Sequence, residues 1–343
     1  MARPIVVIGS NCFTGSHIVN ALLTPGNTVV GISRSPEYKD LFLPYKGYRQ
    51  AHKQSRFTFT QIDLTTQMAT LLKLLDRLKP QRVINVAALS EVALSNDRPE
   101  EYFQTNTTAV VQLVNHLRQT TWLKHYIHIS SAEIFGPCPT PLDESAPFYP
   151  STPYAASKAA ADMFINTMIA RHNFPATLIR STNVYGAHQQ LFKIIPRTMI
   201  YIKLGKKIEL HGGGTSQKSF IHINDVVDGL MRTLNNQALG TFHFSDPSDL
   251  TVKDVVQCVC DAMKTPFDDA VKIVGERPGQ DSRYLLDCSK AKNELGWSVK
   301  KKLKDGILET MDWLNCNWET IKNEPLDYVH KTAMDVEIPM PMR

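Results

Sequence analysis

The chain lacks the marks of several protein classes. Its six cysteines (Cys12, Cys138, Cys258, Cys260, Cys288, Cys316) contain no Cys-x-x-Cys pair and no zinc spacing, so they read as reduced thiols, not as a disulfide framework. The first apolar run is four residues long before Gly9, too short for a signal peptide or a membrane span. Cytoplasmic placement is the expectation. Charge is not concentrated: 38 Lys and Arg against 33 Asp and Glu give +5. The longest basic run, Lys300-Lys301-Lys302, reads as a solvated face, so neither a nucleic-acid nor a membrane partner is expected. His17, His116, His172 and His222 have no ligand spacing, which leaves no metal site to expect. Internal repeats and low-complexity tracts are absent. With 343 residues, 43% hydrophobic and 21% charged, the chain has room for one large or two modest globular domains.

What is present centres on Ser130 to Lys158. Tyr154 and Lys158 stand at i and i+4 in Ala-rich sequence, so they share one face of a helix. An ammonium beside a phenol favours the phenolate, so Lys158 is expected to lower the Tyr154 pKa. Tyr154 then becomes a base for a sugar or alcohol hydroxyl. The spacing alone occurs by chance in many helices; its company gives it weight.

Ile5 to Ile8 reads as a buried strand, followed by Gly9-Ser10-Asn11-Cys12-Phe13-Thr14-Gly15 and a helical pattern. Strand, Gly-rich turn and helix together indicate a dinucleotide site, with the helix N-terminus facing a pyrophosphate. Cys12 occupies the place of the middle glycine, so the loop must differ locally. The second strand ends in Ser33-Arg34-Ser35 with no carboxylate for a ribose hydroxyl. Arg34 between two serines suits a 2′-phosphate, which favours NADP, with NAD as the alternative. Asp63, with Leu64, closes a third strand at a place to reach an adenine, and Ala87-Ala88 allow close approach to a flat cofactor. Strands alternate with helices as far as Gly186, and then the alternation breaks.

The expected fold is therefore α/β, a doubly wound parallel Rossmann-type sheet with a smaller C-terminal substrate-binding cap. Residues 1–186 form the dinucleotide-binding domain, with 215–240 returning to it. Residues 187–214 and 241–325 form the cap, and 326–343 an extended tail.

Seven landmarks in order complete the pattern. They are the Gly9–Gly15 loop, Ala87-Ala88, Thr105-Asn106, Ser130–Gly136, Pro153-Tyr154-x-x-x-Lys158, Arg180-x-x-Asn183-x-Tyr185-Gly186, and Glu276–Asp281 followed by Leu295-Gly296-Trp297. In them the chain resembles the extended short-chain dehydrogenase/reductase superfamily, and within it nucleotide-sugar dehydratases of the dTDP-glucose 4,6-dehydratase type. The resemblance implies that Tyr154, helped by Ser131 and Lys158, takes the C4 hydroxyl proton while the C4 hydride passes to the nicotinamide. Glu133 would take the C5 proton, water would leave from C6, and a 4-keto-6-deoxy sugar would result. Ser90, Ser131, Asn183, Lys193, Lys218 and Arg277 would bind the nucleotide-diphosphate sugar. A homodimer joined by the helices of Asn106 and Lys158 is expected on the same ground.

Three departures stand out. Lys218 replaces an arginine, weakening one bidentate contact. Asn85 stands where a histidine is common. Ala132 stands where relatives carry the aspartate that protonates the C6 oxygen. Glu133 acting twice, a bound water, the Cys138 thiol, or a 5,6-ene product would each accommodate the alanine. A 4-epimerase, a decarboxylase-like reaction and a non-catalytic NADP(H)-binding protein are the rival readings.

Overall fold

The computed structural model describes residues 3–46, 55–275 and 283–328. Its centre is a seven-stranded parallel sheet. β1 (Ile5–Ile8), β2 (Val29–Ser33), β3 (Phe57–Gln61), β4 (Arg82–Asn85), β5 (His125–Ile129) and β6 (Ala176–Ser181) are joined by a seventh strand, Gly240–Phe244. From one edge the order is β3-β2-β1-β4-β5-β6 and then the seventh strand. β1 pairs with both β2 and β4, so the strand order reverses there and opens a crevice beyond its C-terminal end. All four β1 residues are buried, as an apolar run covered on both faces requires. One core holds helices Phe13–Leu22 and Ile223–Asn236 against the sheet. The other holds Met68–Leu78, Ala109–Leu117 and Pro153–His172.

The seventh strand corrects the expected boundary. Gly240 pairs with Thr177 and Phe244 with Ser181, so the sheet claims the start of the segment read as cap. Helix Ser289–Leu295 returns to the same layer, because Ala291, Leu295 and Trp297 bury themselves in that core. The Trp297 indole donates to the Asp225 carbonyl at 2.9 Å. Outside this layer lie helices Ile194–Lys203, Val252–Ala262 and Leu303–Cys316, with a core of their own. Three two-stranded ladders accompany them, among them Ile208–His211 beside Val271–Val274.

A continuous helix is expected over Pro99 to Arg118. The chain instead inserts one π-helical turn, Gln104–Thr108, between Pro99–Phe103 and Ala109–Leu117. Such turns mark places where a side chain has been re-aimed. Here it is Asn106, whose amide oxygen accepts from the Leu89 N–H at 2.9 Å. Its amide nitrogen donates to the Leu89 carbonyl and to the Ser157 hydroxyl, each at 3.0 Å. One buried amide thus ties the loop after β4 to helix Pro153–His172.

Burial also sets the acid response. Loss of solvation holds the imidazoles of His17 and His243 down to about 3 and those of His125 and His222 to about 4. An unfolded histidine takes its proton near 6.5. Between that pH and about 4 the unfolded chain binds more protons, so each such histidine costs the native state about 1.4 kcal/mol per pH unit. Glu144 and Asp225, whose carboxyls burial pushes up, work in the opposite direction and return part of this. The melting temperature is expected to fall as pH drops from 6.5 to 4.5. His125→Gln, at a position where the ring meets the Thr177 hydroxyl at 2.7 Å, should show a shallower fall by scanning calorimetry across that range.

Candidate active site

The first loop is shaped by what it cannot hold. Gly9 has φ +90°, and a Cβ there would lie 2.6 Å from the Ala87 nitrogen. A Cβ on Gly15 would lie 2.1 Å from the Gly9 carbonyl oxygen. Cys12 does more than fill the place of a glycine. It is the N-cap of helix Phe13–Leu22, its sulfur accepting from the Gly15 N–H at 3.2 Å, and burial pushes the thiol up to about 11. The Asn11 N–H donates to the Ser33 hydroxyl at 3.0 Å, and its amide donates to the carbonyls of Ser35 and Pro36. These bonds bind the loop to the end of β2.

Asp63 accepts from the N–H and hydroxyl of Thr65 through Oδ1, while its buried Oδ2 has no partner. Asn11 Oδ1 is in the same condition. Two orphaned acceptors beside a cradle that excludes a methyl group fit the expected dinucleotide. The Arg34 carbonyl accepts from the Gln61 amide at 3.0 Å, and the residue is partly exposed. Leu64 belongs to the core on the second face of the sheet, so its contribution is packing.

Beyond the switch point opens a cleft of about 870 Å³. Cys12, Phe13, Thr14, Ala88, Ser90, Ser131, Glu133, Tyr154, Lys158, Asn183, Lys193 and Lys218 line it. Gly9, Asn11, Gly15, Ser33, Arg34, Ser35, Asp63, Leu64 and Ala87 do not; they hold the loop and strand ends behind it. Arg277 lies outside the described residues.

Helix Pro153–His172 places Tyr154 and Lys158. Thr152 caps it by accepting from the Ala155 N–H, Pro153 occupies the first turn, and Asn173 ends it with φ 50°. Ser131 likewise caps the short turn Ala132–Phe135 by accepting from the Glu133 N–H, which makes Glu133 the second residue of that turn.

The electrostatics differ from the expectation for Tyr154. Its phenol is pushed up, chiefly by burial and then by the Glu133 carboxylate, with the Ser131 hydroxyl bond opposing. Lys158 does not act on it here. Its ammonium donates to the Ile129 carbonyl at 2.7 Å and lies 3.3 Å from His128 Nε2, turned toward the end of β5. Burial lowers Lys158 to about 8, with Asp162 opposing.

On the substrate side, Lys193 forms an ion pair with Glu91 at 2.5 Å. The Asn183 amide oxygen accepts from the Tyr284 hydroxyl at 3.1 Å, and the Lys218 ammonium lies 4.3 Å from the Tyr284 ring centre. Ala132 is buried beside Ile134, Phe135 and Tyr284. The Cys138 thiol is committed to the Leu285 backbone, donating to its carbonyl and accepting from its N–H. Glu91, Tyr284 and His128 are additions that sequence reasoning missed. Glu91 adjoins Ser90 and Tyr284 adjoins the Glu276–Asp281 landmark, but their partners are about a hundred residues away. Among the described residues no cluster of side chains suits a metal ion, and no helix is long and apolar enough to cross a membrane.

Comparison with known proteins places this geometry. The profile of the family described as GDP-mannose 4,6 dehydratase matches residues 6–310. A dTDP-D-glucose 4,6-dehydratase of Mus musculus is 28% identical over 332 residues, covering 94% of this chain and 91% of that protein. DesIV, a dTDP-glucose 4,6-dehydratase of Streptomyces venezuelae solved with NAD and TYD bound, superposes with a TM-score of 0.80. It is 25% identical, covering 92% of this chain and 98% of that one. A UDP-glucuronic acid 4-epimerase of Bacillus cereus, with UDP-glucuronic acid and NAD, gives 0.79 at 23% identity over 91% and 99% of the two chains. The fold therefore does not separate dehydratase from epimerase; the site must.

Because Glu91 holds Lys193, Glu91→Gln is expected to release that ammonium to an anionic ligand. Titration calorimetry with a nucleoside diphosphate should show binding about threefold tighter, the scale of a partly exposed ion pair.

Proposed function

The chain belongs to the GDP-mannose 4,6-dehydratase family, and from that premise we propose how its cleft acts on a nucleotide-linked sugar. The protein is an NAD(P)-dependent nucleotide-sugar dehydratase. The observation that carries the mechanism is Glu133, a carboxylate lining the same cleft as Tyr154 and close enough to shift its phenol. Inversion at C4 needs no carboxylate there; removal of the C5 proton does.

When bound, the nicotinamide cofactor supplies reversible hydride acceptance. The Gly9–Gly15 loop, Asp63 and Ala87-Ala88 would hold it. Tyr154 receives the C4 hydroxyl proton, with Ser131 bonded to the phenol and the Lys158 ammonium favouring its ionised form in the loaded cleft. A ketone at C4 acidifies the C5 proton, and Glu133 takes it. Neither buried Ala132 nor the committed thiol of Cys138 offers a proton to the cleft. Glu133 is therefore assigned the second task of handing its proton to the departing C6 oxygen, so that water leaves and a 4-keto-5,6-ene remains; return of the hydride to C6 with a solvent proton added at C5 would give the 4-keto-6-deoxy sugar. Asn183, Lys193 and Lys218, with Ser90 and Arg277, are proposed to hold the diphosphate sugar.

NADP is the proposed cofactor, supported by Arg34 and by the absence of a carboxylate from Ser33-Arg34-Ser35. Residues 1–186 with 215–240 are proposed as the cofactor-binding part, now with the seventh strand and helix Ser289–Leu295, and 187–214 with the rest of 241–325 as the substrate-binding part. Exposed Phe103 and Met163, on the two helices expected at a dimer interface, support a homodimer. Six free thiols suit the cytoplasm.

Mass spectrometry with UDP-, dTDP- and GDP-sugars in D₂O tests the reaction. Loss of water with deuterium gained at C5 is expected, and Glu133→Gln should slow it about 10²- to 10⁴-fold. Unchanged mass with an inverted C4 centre would replace the dehydratase mechanism with epimerisation. For the cofactor, fluorescence titration of Arg34→Ala should show NADP binding weakened about tenfold and NAD binding changed less than about twofold.

A further inference from the structure

We propose that His128 is a positioning residue for the Tyr154–Lys158 pair: its Nε2 lone pair accepts from the Lys158 ammonium and, with the Ile129 carbonyl, leaves one N–H for the cleft. The proposal rests on the reading that these two residues act together. An ammonium has three N–H donors. Ile129 O takes one at 2.7 Å and His128 Nε2 another at 3.3 Å, while Lys158 itself lines the cleft.

The ammonium fixes the tautomer: it only donates, so Nε2, which faces it at 3.3 Å, carries the lone pair and Nδ1 carries the hydrogen. His128 Nδ1 faces the Tyr126 hydroxyl at 3.4 Å and the Asn85 amide nitrogen at 3.5 Å. An amide nitrogen cannot accept, and the Asn85 oxygen is engaged by the Ala87 N–H at 3.2 Å. With its hydrogen on Nδ1, the ring has the Tyr126 hydroxyl oxygen as its acceptor at 3.4 Å, and that oxygen also receives the Asn85 amide at 3.3 Å. Burial and the neighbouring Lys158 charge keep the ring neutral, so it remains an acceptor.

Of the other groups around Lys158, Asp162 also favours the ammonium, but through its charge. Asp162, on the same helix, is paired with Arg180 of β6 at 3.0 Å. Tyr154 and Glu133 face the cleft, and β4 and β5 contribute neutral Asn85 and Tyr126. A neutral acceptor that favours the ammonium raises the Lys158 pKa, so its removal must lower it.

The test follows Lys158 directly by NMR of the full-length protein carrying lysine labelled with ¹³C at Cε, its signal assigned by loss in Lys158→Arg. In His128→Leu the Lys158 midpoint is expected to fall by about one pH unit, and the alkaline limb of kcat to move down with it at unchanged KM. His128→Gln, which keeps an acceptor, should restore both. If the leucine variant does not fold, His128→Met serves in its place. An unchanged Lys158 midpoint in the apolar variant overturns the proposal, as does an equal fall in the leucine and glutamine variants. Absence of sugar turnover by the wild type would sink the dehydratase reading alone, because the NMR midpoints still decide the role of His128.

Discussion

A lysine ammonium removed from water is the constraint that the centre of this molecule has to meet. Lys158 is buried between β5 and the sheet-facing side of its own helix, where desolvation lowers its pKa to about 8 against the opposing charge of Asp162. Its surroundings answer that cost. The Ile129 carbonyl accepts one N–H, a neutral imidazole faces another, and Asp162 one helical turn on supplies opposite charge. Asp162 is itself kept ionisable by Arg180, whose guanidinium lies about 5 Å from the rings of Phe135 and Phe148. The chain of dependence runs from the catalytic helix through β6 to the loop that carries Glu133. For that reason the landmark Arg180 is structural: it anchors the base without touching the cleft.

The cleft divides its work between rigid and exchangeable contacts. On the cofactor side the geometry is backbone-built, with Gly9 pressed against Ala87 and the helix capped by a cysteine. On the substrate side, cations are held by partners that a ligand can replace. Lys193 rests on Glu91, and Lys218 lies over a tyrosine that also bonds Asn183. These contacts are partly exposed and weak enough to yield to a diphosphate. The glycine loop and the two lysines of the cleft are thereby held by different kinds of interaction.

Ala132 shows how one substitution reaches the chemistry. It belongs to an apolar cluster with Phe135, Cys138 and Tyr284, and no polar side chain takes its place. The carboxylate of Glu133 is the neighbouring acidic group that lines the cleft. Cys138, a few residues on, has its sulfur occupied on both sides by Leu285. The sequence favours a buried structural thiol there over a proton donor, and these hydrogen bonds make it a strut.

Much was written in the sequence by local rules. Apolar runs of four to six residues gave the strands, and a glycine pattern between strand and helix gave the nucleotide loop. The i, i+4 spacing gave a shared helix face for Tyr154 and Lys158. These are properties of neighbouring residues, so periodicity and composition report them. The ionisation of that pair was a different matter. Lys158 turns to β5 and Tyr154 is burdened by Glu133, because burial and charge are set by whatever the fold packs alongside. The π-turn at Asn106 and the seventh strand at Gly240–Phe244 depended on partners fifty or more residues away, as did the pairing of Glu91 with Lys193. The sequence by itself determined which elements and which reactive groups exist; tertiary structure decided which charges meet, since only packing brings distant side chains within a few ångströms.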